Sequence, residues 1–165
     1  MIDEKTEAFF AALQKLSSKD VLFVGIGNTL KADDGVGPLT CSLLKEVFPN
    51  SVIDTGMVPE NYIQVIIKKN PKVILIIDAI DFDAPLGTIK VFETAELSTG
   101  GITTHTLSPR LLSDMIAQSI PAKIYFIGIQ PKSMMIGYPM SQEVESAKKE
   151  LLKIFKHLFS LSNKI

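Results

Sequence analysis

Residues 21–37 read V-L-F-V-G-I-G-N-T-L-K-A-D-D-G-V-G. The first part of this stretch is an apolar run that ends in glycines, a pattern typical of a buried strand. The second part leads into a stripe of apolar residues at helical spacing, with Pro38 in its first turn. The stripe consists of Val36, Leu39, Leu43, Leu44 and Val47. A buried strand followed by an amphipathic helix indicates an α/β fold.

The rest of the chain continues this alternation. Further strands are predicted at residues 51–55, 73–77, 88–93 and 123–129, and further helices at 60–69, at 107–118 and from Ser141 onward. The pattern predicts a three-layer α/β/α sandwich with a mostly parallel, twisted sheet. The connection before residues 88–93 is too short for a crossover helix, so this strand is predicted to be an antiparallel edge.

The length of 165 residues fits a single domain over residues 1–165. Phe9, Phe10, Leu13 and Leu16 stand at helical spacing and predict an amphipathic helix outside the main sheet. We therefore expect an extra N-terminal helix within residues 1–20 and the main α/β unit over residues 21–160.

Composition narrows the possible functions. The net charge is −1 and no long basic run occurs, so nucleic acid is not an expected partner. The N-terminus lacks an apolar signal core, and no apolar run is long enough for membrane insertion. Cys41 is the only cysteine, which excludes an intrachain disulfide and a cysteine-rich metal site. A cytoplasmic protein is expected.

Three loops carry polar residues where sites form in open α/β sheets, at the carboxyl ends of strands. Asp33 and Asp34 follow the first strand, Asp78 directly follows the apolar run 73–77, and His105 lies between a Gly-Gly pair and a helix. Two carboxylates and one imidazole can bind a divalent metal or perform acid–base chemistry.

The same residues also allow less specific interpretations. The start of 25–37 is similar to a dinucleotide-binding loop, but two aspartates there would repel a pyrophosphate. Asp33 and Asp34 could simply cap the following helix. Asp78 could be an ordinary turn residue. Cys41 falls within a helical stripe and is interpreted as a small packed hydrophobe.

A set of motifs, in order, resembles the hydrogenase maturation endopeptidases. They are G-I-G-N-T-L-K-A-D-D-G-V-G-P at 25–38, D-T-G-M-V-P-E-N at 54–61, I-I-D-A-I at 76–80, T-T-H-T at 103–106, G-I-Q-P at 128–131 and Y-P-M-S-Q at 138–142. The set is most similar to the branch that processes the large subunit of hydrogenase 3, the formate-hydrogenlyase type.

The resemblance implies a peptidase with its protease core in residues 21–160. Such a protein removes the C-terminal peptide of a [NiFe]-hydrogenase large-subunit precursor after nickel insertion. The family's metal-contacting and catalytic positions fall on Asp34, Asp78 and His105, and the nickel is expected to be carried by the precursor. Asp54 and Gly56 begin the loop linked to substrate choice; the family reads Asp-Gly-Gly there and this chain reads Asp-Thr-Gly. A monomer is expected.

The chemistry stays open at this point. The three side chains could recognise nickel in the precursor, the two carboxylates could activate water, or the nickel could polarise the scissile carbonyl. We favour nickel recognition with metal-positioned hydrolysis. One alternative is a noncatalytic nickel-sensing chaperone that docks the precursor. Another is a nucleoside-processing enzyme, but the loops at the carboxyl ends of the strands are too acidic for it.

Overall fold

The computed structural model describes residues 1–97 and 108–160, and within them the chain forms one five-stranded sheet. The strands are β1 (Val21–Gly25), β2 (Val52–Asp54), β3 (Val73–Ala79), β4 (Ile89–Glu93) and β5 (Lys123–Ile129). Their order is β2-β1-β3-β5-β4. Neighbouring strands are parallel except β4 and β5, which pair antiparallel. The predicted fold class is confirmed, including the antiparallel edge strand.

Helices cover both faces of the sheet. They are α1 (Glu4–Ala12), α2 (Val36–Val47), α3 (Ile63–Lys69), α4 (Thr94–Leu97), α5 (Pro109–Ala117) and α6 (Gln142–Ser160). One apolar layer joins the sheet to α1, α2 and α6, and the other joins it to α3, α4 and α5. Strand β3 is buried along its whole length because it lies in the middle of the sheet between these layers. None of the helices in the described part of the chain is both long and apolar enough to cross a bilayer.

The N-terminal segment borders the edge strand β4. The Thr6 hydroxyl is fully buried and accepts a hydrogen bond from the Val91 backbone N–H at 3.1 Å. The Ile89 N–H donates to the Met1 carbonyl at 3.0 Å. Phe10 packs edge-on against Phe155 of α6, with 5.6 Å between the ring centroids. The two hydrogen bonds pair backbone N–H groups of the edge strand β4 that would otherwise face solvent or another chain.

The start of α2 is pressed against the backbone at the ends of β1 and β3. A Cβ atom on Gly37 would lie 2.3 Å from the Ile26 carbonyl oxygen and 2.4 Å from that of Ile77. Gly27 has φ +144° and a Cβ there would lie 1.9 Å from the Asp34 carbonyl oxygen. Only glycine allows so close an approach. The spacing of glycines in 25–37 therefore brings the residues before α2 onto the carboxyl end of β3, beside Asp78.

We predict that Gly37→Ala lowers the free energy of unfolding by about 3 kcal/mol or more, the upper end of the overpacking range, because backbone carbonyls cannot move aside as side chains can. Gly56→Ala is the control: its Cβ meets nothing within 4 Å, and only its φ of +56° is unfavourable. That variant should lose about 1–2 kcal/mol. Urea unfolding of both variants measures the difference, and equal losses would contradict the packing argument.

Candidate functional site

Asp78 lies at the carboxyl end of the central strand. It pairs with Gly128 of β5 and follows Ile77, whose partner on the other side is Gly25 of β1. Its side chain is only 3% exposed. A backbone hydrogen bond from Ala79 favours the carboxylate. An acidic side chain is thus buried at the point where the apolar strand ends.

Asp34 reaches the same end of the sheet from the loop between β1 and α2. It lies in a 3₁₀ turn, Ala32–Gly35, and is 7% exposed. Its Oδ2 accepts a hydrogen bond from the Asn28 backbone N–H at 3.0 Å, which holds the carboxylate over the loop that leaves β1. The close packing at Gly27 fixes the backbone of Asp34 in the same loop.

The structure brings Asp34 and Asp78 together as a buried pair of like charge. Burial is the main cause that raises the pKa of Asp78 well above its usual range, and the charge of Asp34 raises it further. The hydrogen bond from Ala79 acts in the opposite direction but is the smallest of the three causes. Two carboxylates held together without a cation are unfavourable, so the pair is suited to binding a cation or a proton.

Asp33 has a different role from its neighbour. It is completely buried, and its carboxylate accepts hydrogen bonds from the backbone N–H groups of Lys132, Ser133 and Ser141 at 2.8, 3.2 and 2.7 Å. The Ser141 hydroxyl also donates to it at 3.0 Å. The helix-capping interpretation is wrong for both aspartates, because the residue before α2 is Gly35 and no side chain caps that helix. Asp33 instead ties residues 132–141 to the loop that carries Asp34.

The loop after β2 joins the same region. The Thr55 hydroxyl and backbone N–H both donate to the Gly25 carbonyl at 2.9 Å, and the Gly27 N–H donates to the Gly56 carbonyl at 2.9 Å. Asp54 is exposed and its Oδ1 accepts from the Gly56 N–H at 2.9 Å, in a tight local turn. Thr55 thus anchors this loop to β1.

Gln130 organises the loop after Asp78. It is 6% exposed, and its Oε1 accepts from the backbone N–H groups of Phe82 and Ala84 at 2.9 and 3.2 Å. Its Nε2 donates to Asp81 Oδ1 at 2.9 Å. Sequence reasoning assigns no role to Gln130, although a polar residue directly after an apolar strand is an available signal.

His105 falls in 98–107, outside the described residues, so the prediction that it completes the site stays a prediction. Within 1–97 and 108–160, no group of three or more His, Cys, Asp or Glu side chains is placed to hold a metal ion. The two buried carboxylates are hard oxygen donors, and a third donor from another source would give a site for a divalent cation.

Cys41 is buried on α2 beneath the site. It is 1% exposed, and its Sγ faces the Ile53 carbonyl at 3.9 Å. Burial, with a contribution from the charge of Asp54, raises the pKa of the thiol. A thiolate nucleophile needs the opposite shift and access to solvent. Cys41 is therefore a packing residue.

Asp78→Asn should raise the free energy of unfolding at pH 7. Because the folded protein has a raised Asp78 pKa, it binds this proton more tightly than the unfolded chain does, so its stability falls as pH rises above the ordinary aspartate range. The amide removes that loss. We expect a higher melting temperature for the variant at pH 7 and a difference that shrinks toward about pH 4, near the unfolded pKa.

The matched control is Asp83→Asn, an exposed carboxylate in the loop after β3. Its melting temperature should follow that of the wild type across the same pH range. A lower melting temperature for Asp78→Asn than for the wild type at pH 7 would show that the Asp78 carboxylate stabilises the fold.

For Asp33→Ala we predict a loss of about 3 kcal/mol or more in the free energy of unfolding, since four hydrogen bonds to one buried carboxylate disappear. Asp34→Ala loses the one hydrogen bond that residues 1–97 and 108–160 give it, from Asn28, and should cost clearly less. Chemical denaturation of the two variants makes the comparison. A greater loss at position 34 would reverse the roles of the two aspartates.

Comparison with known proteins places this architecture in a family. Residues 40–157 match the HycI family of hydrogenase maturation proteases. The hydrogenase 3 maturation protease of Escherichia coli (strain K12) is 34% identical over 131 residues, which cover 78% of this chain and 83% of that protein.

Solved structures agree with the sequence match. The crystal structure of the [NiFe] hydrogenase maturation protease HycI from Thermococcus kodakarensis KOD1 is similar with a TM-score of 0.78 and 27% identity, over 90% of this chain and 99% of that one. The solution structure of the endopeptidase HycI from Escherichia coli gives a TM-score of 0.72 and 29% identity, over 86% and 90%. The chain belongs to the hydrogenase maturation protease family.

Proposed function

We propose that this protein is an endopeptidase that removes the C-terminal peptide of a [NiFe]-hydrogenase large-subunit precursor after nickel insertion. The observation that carries the proposal is the buried pair of Asp34 and Asp78 at the carboxyl end of the sheet, in a chain of the hydrogenase maturation protease family. We take residues 21–160 as the protease core, preceded by the N-terminal helix, and expect a cytoplasmic monomer.

The nickel belongs to the substrate in this proposal. Asp34, Asp78 and His105 act as additional ligands to the nickel that the precursor carries, with oxygen and nitrogen donors suited to a divalent metal. Burial and the charge of Asp34 raise the pKa of Asp78, and a bound cation acts against both effects because it favours the charged carboxylate. A nickel-free precursor lacks this interaction and leaves the two carboxylates uncompensated, so the protein distinguishes loaded from unloaded substrate.

Hydrolysis requires a water molecule, a polarised carbonyl and a path for protons. We propose that contact with the nickel positions the scissile bond beside the carboxylates, and that one of them accepts the proton of the attacking water. The oxygen of that water bonds to the carbonyl carbon, the C–N bond breaks, and the proton passes to the leaving amine.

Substrate contacts are proposed for the loop after β2. Asp54 is exposed at the end of that strand, and Gly56 lies beside Gly27 of the loop that leads to Asp34. A Cβ on Gly56 would meet nothing within 4 Å, so this position leaves open space next to the site. We propose that Asp54 and Gly56 contact the precursor there.

We predict that Asp34→Ala, Asp78→Ala and His105→Ala each abolish removal of the C-terminal peptide, while Cys41→Ser retains it. The first three remove a proposed metal contact, whereas the Cys41 thiol is buried and has no chemical role. The measurement is mass spectrometry of a nickel-loaded precursor before and after incubation, with thermal melting to check that each variant is folded.

The same assay distinguishes a protease from a noncatalytic chaperone. If the wild-type protein binds the loaded precursor and leaves its mass unchanged, the protein docks without cutting and the endopeptidase proposal falls. If folded Cys41→Ser is inactive while the three other variants still cut, a thiol mechanism replaces the carboxylate mechanism.

A further inference from the structure

Exposed apolar side chains gather on the three loops that surround Asp34. We call this set the rim surface: it consists of Leu30, Met57, Met135, Ile136 and Tyr138. Leu30 and Ile136 are the most exposed of the five, at 71% and 72%. Contiguous exposed apolar groups with polar surroundings commonly mark interaction sites.

Backbone hydrogen bonds make these loops one surface. The Gly137 N–H donates to the Leu30 carbonyl at 3.0 Å, so the loop with Ile136 and Tyr138 lies directly beside Leu30. The Gly27 N–H donates to the Gly56 carbonyl at 2.9 Å, which places Met57 next to the same central loop. The apolar side chains therefore border the loop that carries Asp34.

Hydrogen bonds to the buried Asp33 carboxylate fix the loop that carries three residues of the rim surface. The four hydrogen bonds from residues 132–141 to the buried Asp33 carboxylate fix both ends of the segment that exposes Met135, Ile136 and Tyr138. The Asp33 N–H also donates to the Ser133 carbonyl at 3.0 Å. A buried carboxylate with this many partners holds the loop in one position, and the apolar side chains stay exposed on a fixed support.

The loop that carries Met135, Ile136 and Tyr138 bears no charge. Residues 133–142 read S-M-M-I-G-Y-P-M-S-Q and include no charged side chain, although 21% of the chain is charged. This loop offers no charged group to a partner, and it loses little polar hydration when an uncharged segment covers it. The burial of Leu30 and Ile136 against apolar groups would supply the binding energy.

We propose that the rim surface docks an uncharged, apolar segment of the hydrogenase precursor beside the bond that is cut. The proposal rests on the proposed function and adds the chemistry by which the precursor is held. Leu30 and Ile136 provide the main contacts, and Asp33 is the positioning residue that keeps the loop of Ile136 next to Asp34.

The experiment measures cleavage kinetics and binding for Leu30→Ser, Ile136→Ser and the control Val65→Ser. Val65 is 46% exposed on α3, outside the three loops. Each rim variant should raise KM and the Kd of the nickel-loaded precursor about tenfold, the factor expected when roughly half of a buried aliphatic side chain is lost from an interface. The fall in kcat should be smaller, and Val65→Ser should match the wild type. Melting temperatures of all variants should stay close to that of the wild type.

The outcomes separate this inference from the proposed function. If the wild type cuts the precursor and both rim variants keep its KM and Kd, docking on the rim surface is wrong and the endopeptidase stands. If the wild type binds without cutting and the rim variants bind about tenfold more weakly, docking stands and the endopeptidase falls. A wild-type protein that neither binds nor cuts a loaded precursor overturns both.

Discussion

The contact between the start of α2 and the carboxyl ends of β1 and β3 is the constraint on which the rest of the structure depends. At Gly37 the helix backbone lies against the carbonyls of Ile26, just after β1, and Ile77 of β3, at a distance that excludes any side chain. Gly27, in the same loop, has a φ of +144° and lies so close to the Asp34 carbonyl that a Cβ atom there would be 1.9 Å away. The loop between β1 and α2 therefore lies directly against the carboxyl end of β3. Asp34 and Asp78 are neighbours for that reason.

The adjacent residues Asp33 and Asp34 have different roles. Asp33 turns inward, is surrounded by donors and holds the loop after β5. Among the described residues, Asp34 has a single backbone donor, and it lies beside the buried carboxylate of Asp78. Asp33 is stabilised by its hydrogen bonds and supports the structure, whereas Asp34 lies beside Asp78, whose pKa is raised by burial and by the charge of Asp34. Stability and proposed chemistry are thus separated at neighbouring positions.

Local sequence patterns predict most of the sheet because the central strands are largely apolar runs between turn residues. β1, β3 and β5 follow from this pattern, and the short connection before β4 correctly predicts its antiparallel pairing. The pattern places the start of α3 too early, since Pro59–Tyr62 forms a 3₁₀ turn before the helix begins at Ile63. The four-residue helix α4 is too short to produce a periodic signal.

The site is harder to predict because its contacts join distant parts of the chain. The capping interpretation of Asp33 fails because its donors lie 99, 100 and 108 residues later along the chain. Thr55 likewise gains its role only from the Gly25 carbonyl on the neighbouring strand. The rule that sites form at the carboxyl ends of strands places Asp34 and Asp78 at one rim. It gives no information on which of two adjacent aspartates turns inward.

We propose that the buried acid pair of Asp34 and Asp78 responds to the nickel of the substrate. The most direct measurement is mass spectrometry of the same large-subunit precursor, prepared with and without nickel, after incubation with the wild-type protein. We predict that only the nickel-loaded precursor loses its C-terminal peptide, because only its metal compensates the charges of Asp34 and Asp78. Equal cleavage of the nickel-free precursor would contradict the account.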